Sequence, residues 1–429
     1  MMTLSRCLRL ICLYSCILAQ FGVISSCARP QVKNLEKFQQ APYVVLVSID
    51  GFRHDYASLH SSKELLDMQA RGLAAKSLRP VFPSKTFPNH YSIITGRYAE
   101  DHGIVSNEFY DKANGESYSI SDRHSVMDGK WYLGEPVWIL AQKQGMSSAS
   151  YYWVGSDAKI QGLSPNYYFS YDSKVENAKR VNQVLAWLQL PIEKRPHFIT
   201  LYFSIVDSAG HDAGPNSQQV KNAIQAVDEE IARLRQGIKS FALPVNLIVV
   251  SDHGMQDIDA DHVIRLPELV DQRPYLLSGQ GSFAMLYASG EQEKKDIERA
   301  YVELKKIKHL NVWKKNEVPA HFHFKNSSRI GDLVLSPEAP YYMLTHSSKK
   351  IVHGGSHGFD PYKYKSMHGI FFAEGPNIKP SHLGTIDNIE IYPFICNILG
   401  LKTNQPDGSL LSKQILLPFV IPGKAQGLP

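Results

Sequence analysis

Ligand-type side chains recur where predicted strands end. Asp50 follows YVVLVSI (43–49), Asp207 and His211 stand in VDSAGHDAGP after FITLYFS (198–204), and Asp252 with His253 stand in SDHGM after VNLIVVS (245–251). Taken singly, an aspartate after a strand is often only a turn former or a helix cap. Taken together, three carboxylates and two imidazoles converging on one sheet edge have the mixed donor set of a zinc site, or less often of manganese or iron. Asp207 and His211 share one side of a helical turn. Adjacent Asp252 and His253 reach one site only where the chain has turned, which Gly254 permits. Two metals at three or four protein ligands each need roughly six to eight donors. GGSHGFD (354–360) supplies another in His357, with His353 and His368 as competitors that spacing does not separate.

The stretch FPSKTFPNHYSIITG (82–96) raises a second chemistry. Pro88 suits the start of a helix and Gly96 its C-terminal stop, so Thr86 stands just before a helix N-terminus. Free backbone N–H groups and the helix dipole there favour an anion such as phosphate. A metal nearby would lower the hydroxyl pKa enough to make Thr86 a nucleophile. The competing reading is that Ser84 or Thr86 merely caps the helix. His90 and His102 read either as core histidines or as groups that orient ligands from behind. His54, His60 and His124 read as solvated, and His321 and His323 alternate in AHFHF as a strand's exposed face would.

These residues need a sheet to converge. The strand runs are continuous and rich in β-branched residues, the pattern of strands buried on both faces of a parallel sheet. GIFFAEG (369–375) reads as a fourth central strand. A helix over about 217–241, with Val220, Ile224, Val227, Ile231, Leu234 and Ile238 at helical spacing and Asn216 with Gln219 as its cap, makes a βαβ unit with the strands on either side. Ser61 with Glu64 reads as a capping box for a helix that Gly72 closes. The expected fold is α/β, a mostly parallel central sheet with helices on both faces. The texture changes over about 257–350, where a lysine-rich helix near 291–310 and short strands suggest a smaller inserted lobe.

At 429 residues, 43% hydrophobic and 20% charged, the chain can bury a full core. Its net charge of +5, or +3 once the leader arginines Arg6 and Arg9 are discounted, is too weak to imply a nucleic-acid partner. Residues 1–27 have a signal-peptide layout, with those arginines ahead of an apolar run over about 10–24 that Tyr14, Ser15 and Gln20 make a poor membrane span. ISSC ending at Cys27 is similar to a lipobox, which would make Cys27 a lipid anchor; plain cleavage after Ala28 is the alternative. Export to the periplasm, cell envelope or medium is expected on either route. Cys396 is the lone cysteine of the body, so there is no disulfide framework. Residues 28–41 read as a linker, 42–402 as the catalytic domain and 403–429 as a C-terminal tail.

With these motifs in this order, the chain resembles the nucleotide pyrophosphatase/phosphodiesterase family of the alkaline phosphatase superfamily. The likeness runs over about 43–401 and includes SIDGFRHDY, HGIVSNEFYD (102–111), GEPVWILAQKQG (134–145), YYWVGSD (151–157), RIGDLVL (329–335) and EIYPFICNILGL (390–401). The resemblance implies two zinc ions, one held by Asp207, His211 and His357, the other by Asp50, Thr86, Asp252 and His253. It implies Thr86 as the nucleophile of a phosphothreonine mechanism, with zincs about 4 Å apart on the attacking and leaving oxygens. Asn107 and a backbone N–H near Thr86 would bind the phosphate as an oxyanion hole does. Phe87 and Tyr171 match an aromatic pair that sandwiches a nucleobase. The implied substrates are nucleoside triphosphates or dinucleotides, cleaved to nucleoside 5'-monophosphates. A phospholipid or choline phosphodiesterase would share the metal site, and an inactive envelope binding protein would lack a ligand, whereas all seven positions are filled. A sulfatase is disfavoured because Thr86 is followed by Phe-Pro-Asn.

Overall fold

The computed structural model describes residues 33–269, 275–288, 290, 292–347, 351–403 and 415–417. The expected leader, with Cys27, and most of the expected C-terminal tail lie outside them. No helix among the described residues is long and apolar enough to cross a membrane.

Eight strands form the central sheet: β1 (Tyr43–Ile49), β2 (Leu73–Arg79), β3 (Ser148–Tyr151), β4 (Tyr167–Tyr168), β5 (Phe198–Phe203), β6 (Val245–Val250), β7 (Phe371–Glu374) and β8 (Ser381–Asp387). Their order is β8-β2-β7-β6-β1-β5-β3-β4. All run in one direction except β7, which is antiparallel to both β6 and β2. Every residue of β1 and β6 is buried. The pleat explains the unbroken apolar runs: Val44 and Leu46 face one core, while Val45, Val47 and Ile49 face the other. Each side chain so buried contributes about 1.5–3 kcal/mol.

On the second face, α1 (Lys63–Arg71) and α2 (Gln218–Ser240) pack side by side. Val220, Ile224, Val227, Ile231 and Leu234 are fully buried, so the periodicity maps onto a real apolar stripe. The capping boxes do not form. Ser217 caps α2 by accepting from the Val220 N–H. The N-terminus of α1 is capped from another element, as the Asp228 carboxylate on α2 accepts from the N–H groups of Glu64 and Leu65 at 3.0 Å each. Glu64 turns to Arg235 instead. A tertiary carboxylate out-competes the local motif because it also ties two helices together.

Other expectations need correction. The linker segment is docked where it is described: Glu36–Gln39 is a helical turn, and both Asn34 and Phe38 are buried. The lysine-rich helix is shorter than expected, Glu293–Leu304, and strand Leu310–Lys314 starts where it was to end. That strand joins Tyr275–Gln280, Phe283–Ala288 and Leu333–Pro337 in an antiparallel sheet with its own small core. His321 lies in a 3-10 turn and His323 at a left-handed residue, so AHFHF is not a strand. His60 is buried rather than solvated.

Candidate active site

The carboxyl ends of β6, β1 and β5 are adjacent, and ligand-type residues leave all three. Asp50 is buried just past β1, and Asp252 with His253 is buried just past β6. Asp207 and His211 lie one turn apart on helix α3 (Ile205–Ala213), which starts directly after β5. His357 arrives by another route. Because β7 runs backwards, the loop that precedes it lies at this same edge, and Gly355–Ser356 pairs with Gln256–Asp257 to hold His357 in place. Neither competitor joins the cluster: His368 Nδ1 meets Ser77 Oγ and Nε2 meets the Pro361 carbonyl, and His353 makes none of the cluster's contacts.

The histidine tautomers can be read from their partners. His211 Nδ1 faces the Gly355 carbonyl at 2.9 Å, His253 Nδ1 the Gly254 carbonyl at 2.9 Å, and His357 Nδ1 the Ser84 carbonyl at 2.8 Å. A carbonyl only accepts, so each Nδ1 carries the proton and each Nε2 presents a lone pair inward, the arrangement of metal-binding imidazoles. The three Nε2 atoms and three carboxylates then crowd each other. His357 Nε2 lies 3.1 Å from His211 Nε2 and 3.7 Å from Asp207 Oδ1, and His211 Nε2 lies 3.5 Å from that oxygen. On the other side, His253 Nε2 lies 2.9 Å from Asp252 Oδ2 and 3.5 Å from Asp50 Oδ1. Asp50 Oδ1, Asp207 Oδ1 and Asp252 Oδ2 are buried and accept no hydrogen bond. Lone pairs facing lone pairs at these distances repel unless cations lie between them, so these residues fit divalent ions.

The charged forms of these groups perturb one another strongly: burial lowers the His253 imidazole, but the Asp252 carboxylate outweighs it and raises it. Burial, then the Asp252 and Asp207 charges, push the Asp50 carboxyl well above its ordinary range. Burial also pushes on Asp252, but the imidazoles of His253 and His90 outweigh it and hold that carboxyl low. Burial and the charges of His253, Lys85 and His211 keep His357 neutral.

Thr86 opens helix α4 (Thr86–Thr95), placed between α1 and α2 in the chain. It is the first helical residue rather than the one before the helix, and Pro88 stands in the first turn. The side-chain cap does not form, so capping does not explain the hydroxyl. Thr86 Oγ1 sits 3.2 Å from His253 Nε2, inside the cluster. Residues 88–95 are all buried, which accounts for the composition of this stretch. A helix surrounded by protein needs small polar residues with internal partners. Ser92 Oγ meets His102 Nε2, Thr95 donates to the Tyr91 carbonyl, and Ser84 donates to the Phe359 carbonyl. Gly96 ends the helix at φ 66°, a left-handed stop.

Two histidines behind the cluster differ in role. His90 Nδ1 touches the Thr86 carbonyl at 3.0 Å and Asp252 Oδ2 at 3.3 Å, while its Nε2 meets Ser48 Oγ. His102 touches no ligand and braces α4 instead.

Asn107 Oδ1 accepts from the Phe87 N–H at 3.0 Å, which fixes the amide and leaves Nδ2 for a ligand oxygen. Of the backbone N–H groups near Thr86, that of Phe87 is thus already committed. Phe87 and Tyr171 line one cavity of about 310 Å³ that also contains Asp50, Thr86 and Asp207. Tyr171 is 42% exposed and leans edge-on against Tyr152 at 5.0 Å.

Three neighbours have no sequence signal of their own. Tyr202, a strand residue, donates to Asp50 Oδ2 at 2.5 Å. Trp153 walls the cavity and donates its indole N–H to the His90 carbonyl. Half-buried Lys85 precedes the nucleophile candidate, and burial pushes its ammonium down to about 8 against the pull of Asp207 and Glu108. A lysine beside FPS and TFP reads as ordinary loop polarity.

The sequence model of the family described as type I phosphodiesterase / nucleotide pyrophosphatase matches residues 44–360, which contain every residue of this cluster. The chain belongs to that family. It is 36% identical over 384 residues to human ectonucleotide pyrophosphatase/phosphodiesterase family member 1, covering 86% of this chain and 41% of the relative. It is 33% identical over 404 residues to a venom phosphodiesterase of Naja atra, covering 91% of this chain and 48% of the relative. The chain thus spans less than half of these relatives. Among solved structures, murine ectonucleotide pyrophosphatase/phosphodiesterase 5 superposes with a TM-score of 0.82 at 31% identity, covering 87% of this chain and all of that one. An inactive variant of the same murine protein is in complex with AMP, again at TM-score 0.82, with 30% identity over 88% of this chain. The family's fold is therefore the fold of this chain, and its metal-dependent chemistry has a matching donor cluster here.

Proposed function

We propose that this chain is an exported two-zinc phosphodiesterase that releases nucleoside 5'-monophosphates from nucleoside triphosphates or dinucleotides through a phosphothreonine intermediate. The observation that carries the reading is the cluster of inward Nε2 lone pairs and orphaned carboxylate oxygens around Thr86 Oγ1, opening directly into an aromatic-lined cavity. Asp207, His211 and His357 would hold one ion, and Asp50, Thr86, Asp252 and His253 the other. Zinc supplies a lowered pKa to a coordinated hydroxyl or water and neutralises charge on phosphoryl oxygens.

The protein's own residues do the rest. Asn107 Nδ2 donates to a non-bridging oxygen and holds phosphorus beside Thr86. Thr86 Oγ1 bonds to phosphorus in line as the bond to the departing oxygen breaks. Water then cleaves the Thr86–phosphorus ester and frees the monophosphate. Phe87 and Tyr171 hold the base, so the α-phosphate is placed by its own nucleoside. Tyr202 keeps Asp50 pointed inward.

Purified protein assayed on ATP, a diadenosine polyphosphate, p-nitrophenyl thymidine monophosphate and glycerophosphocholine, with and without a chelator, tests this. Chelator-sensitive turnover of the nucleotides and not of glycerophosphocholine is expected. Preference for glycerophosphocholine would reassign the substrate to the choline or phospholipid class, and turnover that survives exhaustive metal removal would sink the zinc mechanism. The export reading is supported by the leader and by relatives named as ectoenzymes and venom enzymes. Secretion of a fusion carrying residues 1–32, against retention of one lacking them, checks it.

A further inference from the structure

None of the proposed metal ligands lies in the inserted lobe, yet one side chain of the lobe reaches the ligand cluster. Strands Tyr275–Gln280 and Phe283–Ala288 are joined by a two-residue turn, Gly281–Ser282, in which Gly281 takes a φ of 80°. The turn is pinned from two directions. Gly281 exchanges backbone hydrogen bonds with Met343 inside the lobe, and buried Phe283 lies edge-on at 5.5 Å against Phe82, which starts the stretch that carries Thr86. At the tip Ser282, fully buried, donates its hydroxyl to the carbonyl of His357. Among the described residues no backbone N–H meets that carbonyl. A Cβ on Gly358 would run into Ser282 Oγ, so glycine at that position leaves room for the hydroxyl to approach.

The loop that Ser282 grips orients two ligands. His357 belongs to it, and the Gly355 carbonyl two residues earlier accepts the Nδ1 proton of His211. Ser84 closes the other side: its carbonyl accepts from His357 Nδ1, and its hydroxyl donates to the Phe359 carbonyl. The other donor set is braced differently. Asp50 is held by Tyr202, Asp252 Oδ1 by the Gly51 N–H at 3.2 Å, and His253 by the Gly254 carbonyl. Those supports come from β1, β5 and β6 or from the turns directly after them, and none comes from the lobe. Resting on the two-metal reading proposed above, we infer that Ser282 is a positioning residue for the ion held by Asp207, His211 and His357, and that through it the inserted lobe sets the affinity of one metal site and not of the other. Without the hydroxyl, the His357 carbonyl is buried with no donor. The loop must then shift to satisfy it, which moves His357 Nε2 and the carbonyl behind His211 together.

The test is Ser282→Ala in the full chain, read by zinc titration of metal-stripped protein in competition with a chromophoric chelator. His357→Gln identifies which binding step belongs to this site. Thr345→Val is the control, because Thr345 Oγ1 donates to the Gly279 carbonyl of the same hairpin rather than to the His357 loop. Ser282→Ala is expected to weaken the step that His357→Gln loses by roughly tenfold, the lower end of the scale for removing a group behind a metal ligand, and to leave the other step within about threefold of wild type. Thr345→Val should leave both steps as they are. Unchanged binding in Ser282→Ala, equal weakening of both steps, or the same loss in Thr345→Val overturns the assignment while leaving two bound zincs in place. Wild-type protein that takes up fewer than two zincs removes the two-metal reading, and this inference with it.

Discussion

The two halves of the site are built on opposite principles. The donor cluster sits on the ends of β1, β5 and β6 and is mostly sealed, with Asp50, Asp252, His253 and His357 at most 3% exposed and Asp207 and His211 forming its more open rim. The adjoining cavity draws mostly on loops and edge elements, and two of its aromatic members stand open, Phe169 at 41% and Tyr171 at 42%, beside buried Tyr152 and Trp153. The first needs positions fixed to fractions of an ångström, which a packed sheet provides; the second needs only faces against which a ring can lie. Changes to the cluster should therefore slow every substrate alike, and changes to the cavity should discriminate between substrates.

The sharpest separation comes from Thr86→Ala. It should lower kcat on all substrates by at least roughly four orders of magnitude, the scale for deleting a nucleophile, without shifting Tm. Near-normal rates would leave Thr86 with no role beyond opening a helix. Tyr202→Phe comes next. It removes the hydrogen bond to Asp50 while keeping the ring, and loss of such a supporting contact typically costs 10–100-fold in activity or metal affinity. Zinc titration of the variant against wild type, together with kcat on two nucleotides, checks this. A loss confined to one nucleotide would place Tyr202 with the cavity instead. Tyr171→Ala should raise KM roughly tenfold for nucleotides, within the 1–3 kcal/mol expected of base stacking. A p-nitrophenyl phosphodiester without a base should be nearly unaffected, and an equal rise on both would break the sandwich assignment.

The same division governs what could be read from sequence. Asp50, Asp207, His211, Asp252 and His253 were legible because a parallel strand announces itself by an unbroken apolar run, and the residue after it lies at a known edge. His357 was not separable from its neighbours, because the strand it precedes is antiparallel and its direction is set by partners far away in the chain. Tyr202 was hidden as core, since a strand residue that donates into a site alternates as any buried residue does. The capping box at Ser61 failed for a related reason: Asp228, 164 residues from Glu64, offered a better acceptor. The one expected at Asn216 was off by one residue, since neighbouring Ser217 is the cap, whereas the stop at Gly96 was read correctly.

The smallest effect expected separates the scaffold from the chemistry. His102 accepts the Ile104 N–H on Nδ1, so its Nε2 proton is shared between Ser92 Oγ and the Pro88 carbonyl, bracing the helix that carries Thr86. Burial pushes this imidazole down to about 3. In the unfolded chain it titrates near the ordinary 6.5, so between those values the unfolded state binds a proton that the folded state refuses. Its contribution to stability is complete above pH 6.5 and is lost as pH falls toward 3, at up to ~1.4 kcal/mol per pH unit. His102→Gln keeps a donor and removes the titration. It should be slightly less stable than wild type at pH 7.5, yet lose Tm more slowly from pH 6.5 to 4.5. The other buried histidines and the donor cluster contribute equally to both proteins and drop out of the difference. A variant whose Tm falls as steeply as wild type would show that His102 is protonated or hydrated in the fold, and that α4 is braced by packing alone.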